Sequence, residues 1–262
     1  MQFSRRRIGA FARVVGSNAA EYFDPVVAGY DGYRDVIAPA VFAVVPGQLQ
    51  QNELLTEVAP GSLPLLHGIH ITMSRPVVAG SHLQTTTVVT QQRKSGTISA
   101  LTTETELTEE ANQPIAIVTQ KLALLSNQQY SLSTLEPSSP RLGPVSQFTT
   151  FELELSQRDL NDYATVSDDL NPIHIDDKYA KQFGYCAPLA QGMLMLGRAI
   201  SLIERELNHY VIPLQIQARF IAPVEVPAEG AVVIVQYEPK ATDAGLTFYR
   251  NNQRIARATV TI

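Results

Sequence analysis

The sequence predicts an α+β protein made of two similar units in tandem, each an antiparallel sheet wrapped around a long helix. Three observations lead there. The stretch Ser126 to Gln147, SNQQYSLSTLEPSSPRLGPVSQ, is rich in Ser, Pro, Gln and Gly and has no apolar period, so it reads as a linker. The flanks, about 125 and 115 residues long, are each of ordinary domain size. The flanks also run through the same order of elements. Placing Tyr22-Phe23-Asp24 on His174-Ile175-Asp176 carries Gly32-Tyr33 onto Gly184-Tyr185 without a gap, and Arg75-Pro76-Val77 echoes Arg219 and Pro223-Val224. Internal similarity of this kind fixes architecture more firmly than any single element. The expected boundaries are 1–125, a linker at 126–148, and 149–262.

The elements follow in order. Ser4 precedes an apolar-periodic helix, Ile8–Val15, and an apolar segment follows at Val36–Val45. Strands are expected around Leu65–Met73, His82–Gln91, Ile98–Leu107 and Ile115–Leu125. In the second unit, Phe151–Leu155 (FELEL) alternates as a half-buried strand does. Ser156 with Asp159 three positions on is a helix-start capping pattern. The short helix after it, through Tyr163 and Val166, ends at Asp168-Asp169-Leu170-Asn171-Pro172, a run of turn formers. Asp176 caps a second short helix that Gly184 terminates, and an apolar helix runs from Pro188 to about Asn208. Strands around Leu214–Ile221, Ala231–Tyr237, Leu246–Arg250 and Arg254–Ile262 complete the unit.

Composition narrows the function. Hydrophobic residues make up 45% and charged residues 17%, as in a soluble globular protein. The net charge of −5, with neither a Lys/Arg stripe nor aromatic-basic interleaving, gives no footprint for nucleic acid. No apolar stretch reaches membrane-spanning length, and the basic Arg5-Arg6-Arg7 is followed by no signal-peptide core. The single cysteine, Cys186, forms no internal disulfide and fits a reducing cytoplasm.

The stretch that carries chemistry is Tyr163-Ala-Thr-Val-Ser167-Asp168-Asp169-Leu170-Asn171-Pro172-Ile173-His174-Ile175-Asp176, with Gly184-Tyr185 and Ala190-Gln191-Gly192-Met193-Leu194 behind it. Together these residues resemble the signature of the MaoC-like, or (R)-specific enoyl-CoA hydratase, family over most of residues 150–262. Phe11-Ala12-Arg13-Val14-Val15-Gly16, Gly32 to Pro39 and Leu66-His67-Gly68 look like the non-catalytic first repeat of two-repeat members. The resemblance implies a double hotdog, with Ser17 and Tyr22 where the second repeat has Asp169 and His174. It also implies that the degenerate repeat helps to accommodate an acyl chain.

Hydrating a trans-2-enoyl thioester requires water to lose a proton as it attacks C3, and C2 to gain one. A carboxylate and an imidazole held together can do both, and Asp169 and His174 stand five apart across a Pro-containing turn. Negative charge builds on the thioester oxygen, and backbone N–H groups at a helix start stabilise it. By the family pattern Gly192 supplies that donor, while Asn171 fixes the loop or binds the water. Gly184 and Tyr185 are expected beside the substrate, and so is Gln191. Gln191 stands where the family usually has His, and it carries no proton near neutral pH. No redox cofactor or metal is called for, CoA entering only as part of the substrate.

Each residue also has a plainer reading. Asp-x-Asn-Pro is good turn chemistry, a lone His is often only hydrogen-bonded, and a lone Gly often only packs. The constellation in register is what favours the functional reading. His67 and His70 have no third metal ligand in view. Ser201 is a rough match for a serine that some members place on the long helix, Arg219 and Arg5–Arg7 are candidate CoA contacts, and Cys186 is close enough in sequence to line the pocket. Two rival activities remain open at this level: a hotdog acyl-CoA thioesterase, and a silent acyl-thioester-binding protein, a reading to which Gln191 lends weight. The substrate carrier is CoA or an acyl carrier protein, and a homodimer of such units is plausible.

Overall fold

The computed structural model describes residues 1–95, 98–109, 113–125 and 148–262. The first half contains helix α1 (Arg5–Val14), a 3-10 turn at Ala20–Tyr22, α2 (Pro25–Tyr30), a 3-10 stretch at Ala40–Gly47 and α3 (Gln48–Val58). Strands β1 (Leu63–Met73), β2 (Leu83–Ser95), β3 (Ile98–Glu109) and β4 (Gln113–Leu125) follow. The second half contains β5 (Thr149–Leu155), α4 (Gln157–Ser167), a 3-10 turn at Pro172–His174, α5 (Asp177–Gln182) and α6 (Gly192–Leu207). It closes with β6 (Gln215–Phe220), β7 (Ala231–Pro239), β8 (Asp243–Arg250) and β9 (Gln253–Thr261).

Local chemistry accounts for the helix starts. Ser4 accepts from Arg7 N–H, and Ser156 and Asp159 form a full capping box at α4. Asp24 and Asp176 cap α2 and α5 by the same Asx contact. The repeat is metric as well as pictorial: a shift of 152 residues carries Ala20–Tyr22 onto Pro172–His174 and Pro25–Tyr30 onto Asp177–Gln182. It also carries Gly32 onto Gly184, both at positive φ just beyond those short helices.

The nine strands form one antiparallel sheet in the order β2-β3-β4-β1-β6-β9-β8-β7-β5. The sequence pointed to two sheets. Instead β1 and β6, each of which would otherwise be a bare edge, pair with one another, Ile71 opposite Ile216 and Ile69 opposite Ala218. One apolar cluster also joins the halves, from Phe11 and Val41 to Leu194 and Val235.

The two central helices differ. α6 is a continuous apolar helix whose start lies at Gly192, later than expected because Pro188–Ala190 are held extended; Leu189 bridges Glu225. Its first-half counterpart is broken. Ala40–Gly47 winds as a 3-10 stretch containing Pro46, and only then does α3 begin, over residues whose sequence predicts no element. The expected linker at 126–148 lies outside the described residues except for Phe148. No helix among the described residues is long and apolar enough to cross a membrane.

Candidate active site

α4 ends in a left-handed cap at Asp168 (φ 61°), which turns the chain so that Asp169 leaves the helix sideways. The turn is held from both sides. Asp169 N–H donates to Ser167 Oγ at 3.2 Å, and Ser167 Oγ donates to the Tyr163 carbonyl at 2.7 Å. Across the repeat, Arg7 of α1 reaches Asp168 Oδ2 at 2.6 Å and the Val166 carbonyl at 3.3 Å. A cation thus sits at the C-terminus of α4, where the helix dipole favours it.

Asn171 continues the turn. Its Oδ1 accepts from Ile173 N–H and its Nδ2 donates to the Pro64 carbonyl on β1, both at 3.2 Å. His174 follows with its Nδ1 2.7 Å from the Leu189 carbonyl. A carbonyl only accepts, so Nδ1 carries a proton, and in the neutral ring Nε2 presents its lone pair. Nε2 lies 3.7 Å from Asp169 Oδ2, too far for a direct hydrogen bond and close enough for one water to bridge both.

Asp169, Asn171 and His174 open onto a cavity of about 340 Å³ whose other wall comes from α3, β1 and β4 of the first half. Met193 of α6 also lines it. Tyr163 reaches it from α4, and its hydroxyl is buried with no well-formed hydrogen bond among the described residues. Burial, and next the nearby Asp169 carboxylate, push the Tyr163 hydroxyl well above the usual tyrosine range.

Other expected site residues fall elsewhere. Gly192 is the first residue of α6, where its N–H has no carbonyl one turn back in the helix. A side chain there is barred by the Phe220 ring, 2.8 Å from where a Cβ would lie. Gln191 is fully buried. Its Nε2 donates to the Leu160 carbonyl at 3.0 Å, tying α6 to α4, and its Oε1 has no partner among the described residues. Gly184 and Tyr185, expected beside the substrate, do not line the cavity. Gly184 terminates α5, and Tyr185 packs with Ile173, Phe183 and Leu189. Apolar packing claims the tyrosine ring because the chain turns back on itself there.

Cys186 is exposed and outside the cavity, and Ser201 bonds its own helix at the Arg198 carbonyl. Arg5 pairs with Asp35 and Arg7 with Asp168, so neither is a free cation. His67, His70 and Arg219 line a separate hollow of about 680 Å³ on the outer face of the sheet, larger but remote from the Asp-His pair. Among the described residues no cluster of His, Cys, Asp and Glu is arranged to hold a metal.

Sequence reasoning missed Glu204. It sits in the last third of α6, buried, and accepts from Ser17 Oγ at 2.7 Å, from Tyr22 Oη and from Val211 N–H at 3.3 Å. The first half's counterparts of Asp169 and His174 are therefore spent on a carboxylate from the second half. Burial raises the Glu204 carboxyl above its usual value despite those donors. The signal was an acid placed directly after Leu202-Ile203, where the helix is still apolar.

A family profile described as "MaoC like domain" matches residues 144–253, and one described as "FAS1-like, dehydratase domain region" matches residues 1–118. A UPF0336 protein of Clavibacter michiganensis is 35% identical over 106 residues, 39% of this chain and 71% of that protein. The chain belongs to the MaoC-like dehydratase family. Another relative of this MaoC-like protein is 3-hydroxyacyl-thioester dehydratase X of Mycobacterium tuberculosis, 28% identical over 117 residues, which are 45% of this chain and 41% of that one. A solved MaoC-like dehydratase superposes with a TM-score of 0.86 over 100% of this chain and 94% of its own, at 20% identity. A solved Mycobacterium tuberculosis protein described as a double hotdog superposes at 0.71 over 99% of this chain and 92% of its own, with 14% identity. The fold is the double hotdog expected from the motif.

Proposed function

We propose that this MaoC-like protein reversibly hydrates a trans-2-enoyl thioester to the (R)-3-hydroxyacyl thioester, with Asp169 and His174 as the acid–base pair. The observation that carries this reading is the pair itself: a carboxylate oxygen and an imidazole lone pair 3.7 Å apart, facing one cavity, with the imidazole tautomer fixed from behind by Leu189. A water donating one hydrogen to each keeps its oxygen free to attack. As that oxygen bonds to C3, the pair takes one of the water's protons, and the C2=C3 electrons move towards the thioester carbonyl. C2 then receives a proton from the pair, so none is gained or lost overall.

The enolate-like oxygen needs a donor, and the Gly192 N–H at the positive end of α6 is our assignment for it. Asn171 holds the loop rather than the reacting atoms, since its amide is engaged at both ends with backbone groups, Pro64 and Ile173. Gln191 serves as a tether for the α6 start, which its bond to Leu160 supports. This hydration balances without metal or redox cofactor. CoA and an acyl carrier protein present the same thioester, and the reading places the reaction in the cytoplasm.

The test follows the enoyl absorbance of crotonyl-CoA and longer trans-2-enoyl-CoAs with wild type, Asp169→Asn and His174→Ala. Wild type should consume the band and give the (R)-product, and each variant should lose about 10²- to 10⁴-fold in kcat/KM. Unchanged rates in both variants would sink the assignment. Thiol release without hydration would replace it with a thioesterase.

A further inference from the structure

The wall of the cavity that belongs to the first half carries polar groups where the strand pattern calls for apolar ones. Along β4 the inward-facing residues run Val118, Gln120, Leu122, Leu124, and along β3 they run Leu101, Thr103, Thr105, Leu107; all are buried. Gln120 and Thr103 are cross-strand partners, so the interruption is one patch. Gln51 descends on it from α3. Gln51 Nε2 donates to Gln120 Oε1 at 3.1 Å, and Thr103 Oγ1 donates to Gln51 Oε1 at 3.4 Å. In the second half the corresponding strands, β8 and β9, bury an apolar inner face, with Leu246, Phe248, Ala256, Ala258 and Val260.

Two buried primary amides carry four N–H groups, and among the described residues one of the four donates to protein. Gln51 and Gln120 both line the cavity, with Leu55, Leu66 and Leu122 beside them. An alkyl chain laid against that patch would leave the amides desolvated and unpaired, which costs free energy. We infer that the acyl group this site selects carries a hydrogen-bonding substituent, a hydroxyl or a carbonyl, beyond its reacting double bond, and that Gln51 and Gln120 receive it. This rests on the proposed hydration at Asp169 and His174 and names the class of substrate for it. The leucines hold the methylenes between the double bond and the substituent, and the amide pair reads what lies at the end.

The test uses two matched series: trans-2-hexenoyl-CoA and trans-2-octenoyl-CoA, and the same chains ending in a hydroxyl, with crotonyl-CoA as a control too short to present either end. Wild type should favour a hydroxyl-ended chain over its methyl-ended partner by roughly tenfold in kcat/KM, the worth of one well-made hydrogen bond. Replacing both amides together, Gln51→Leu with Gln120→Met, strands neither amide and costs the Thr103 hydroxyl its 3.4 Å acceptor. It should reverse the preference, read as the ratio of kcat/KM between the hydroxyl-ended and methyl-ended chain of each length. Equal treatment of the two series by wild type overturns the inference by itself, whether or not the double variant folds. Hydration of none of the five compounds would count instead against the reading of the site. In that case calorimetric binding of the saturated acyl-CoAs with and without a terminal hydroxyl decides the inference: tighter binding of the hydroxyl-ended chains supports it, and equal binding ends it.

Discussion

The two halves of the molecule use the same backbone turn for opposite purposes. In the second, Asp169 and His174 face a cavity, and their unsatisfied valences point into open space. In the first, Ser17 and Tyr22 occupy the equivalent places and close around Glu204, which α6 delivers from across the repeat axis. The residue 152 positions before Glu204 is Asn52, on α3, and Asn52 lines the Asp169 cavity. One position on two equivalent helices therefore plugs one site and borders the other. Duplication supplied two turns of the same geometry. A single carboxylate at that position turns one of them into a structural element.

The sharpest way to break that comparison is to remove the plug. Glu204→Ala strands two hydroxyls and the Val211 N–H in a dry interior. A loss on the order of 3 kcal/mol or more in urea unfolding is expected, since each orphaned group costs about 1–3 kcal/mol. Asn52→Ala, its counterpart, gives up an amide that borders a cavity and should cost about 1 kcal/mol or less. Equal losses would mean that Glu204 is not holding its site shut.

Glycine at the start of α6 separates the halves next. Gly192→Ala drives a Cβ to 2.8 Å from the Phe220 ring, an overpacking worth about 1–3 kcal/mol by thermal or urea unfolding. The first-half counterpart is Ala40, already accommodated, and Ala40→Gly should cost at most about 1 kcal/mol. If Gly192→Ala proves harmless to stability, the close approach of Phe220 is not what excludes a side chain there.

The pH dependence of stability should also divide along the same line. Burial raises the Glu204 carboxyl above 4.5, so the folded state holds that proton more tightly than the unfolded chain does. The resulting stabilisation is full below the unfolded value near 4.5 and is lost as pH rises through the raised folded value. Glu204→Gln removes the titration. Between about pH 5 and pH 8 its urea midpoint should fall less than that of wild type. Parallel curves would place the titration on another group.

Much of this was legible in the chain, and the reasons are local. Ser156-x-x-Asp159, Asp24, Asp176 and the Asp-x-Asn-Pro-x-His turn act through contacts within a few residues, so their spacing displays them. Helix α3 was not legible. In Gln48–Val58 the apolar residues form no single stripe, exposed Leu49 lying on the opposite side from Leu55 and Val58, and its place is set by the sheet beneath it rather than by its own periodicity. The roles of Glu204 and of the Gln51–Gln120 pair were not legible for a related reason, because Ser17 and Tyr22 lie far from Glu204 in the chain, as Gln120 does from Gln51. Tyr185 misled in the other direction: it travels with the motif, yet packing claims it.

The smallest expected effect concerns two tyrosines. Tyr163 and Phe11 are equivalent by the 152-residue shift, and their rings pack at 5.7 Å between centroids where α4 crosses α1. Tyr163→Phe therefore makes the second half resemble the first at its core. Because the Tyr163 hydroxyl is buried and makes no well-formed hydrogen bond among the described residues beyond a weak contact with Ser167, its removal should leave stability unchanged or raise it by about 1 kcal/mol. Tyr22→Phe deletes a hydroxyl that donates to Glu204, and should lower stability by about 1–2 kcal/mol. The same chemical change thus carries opposite signs in the two halves. A loss of stability in Tyr163→Phe would mean that the hydroxyl has a bound partner in solution. Given its place beside Asp169, a fall in kcat/KM accompanying that loss would locate the partner in the reaction site itself.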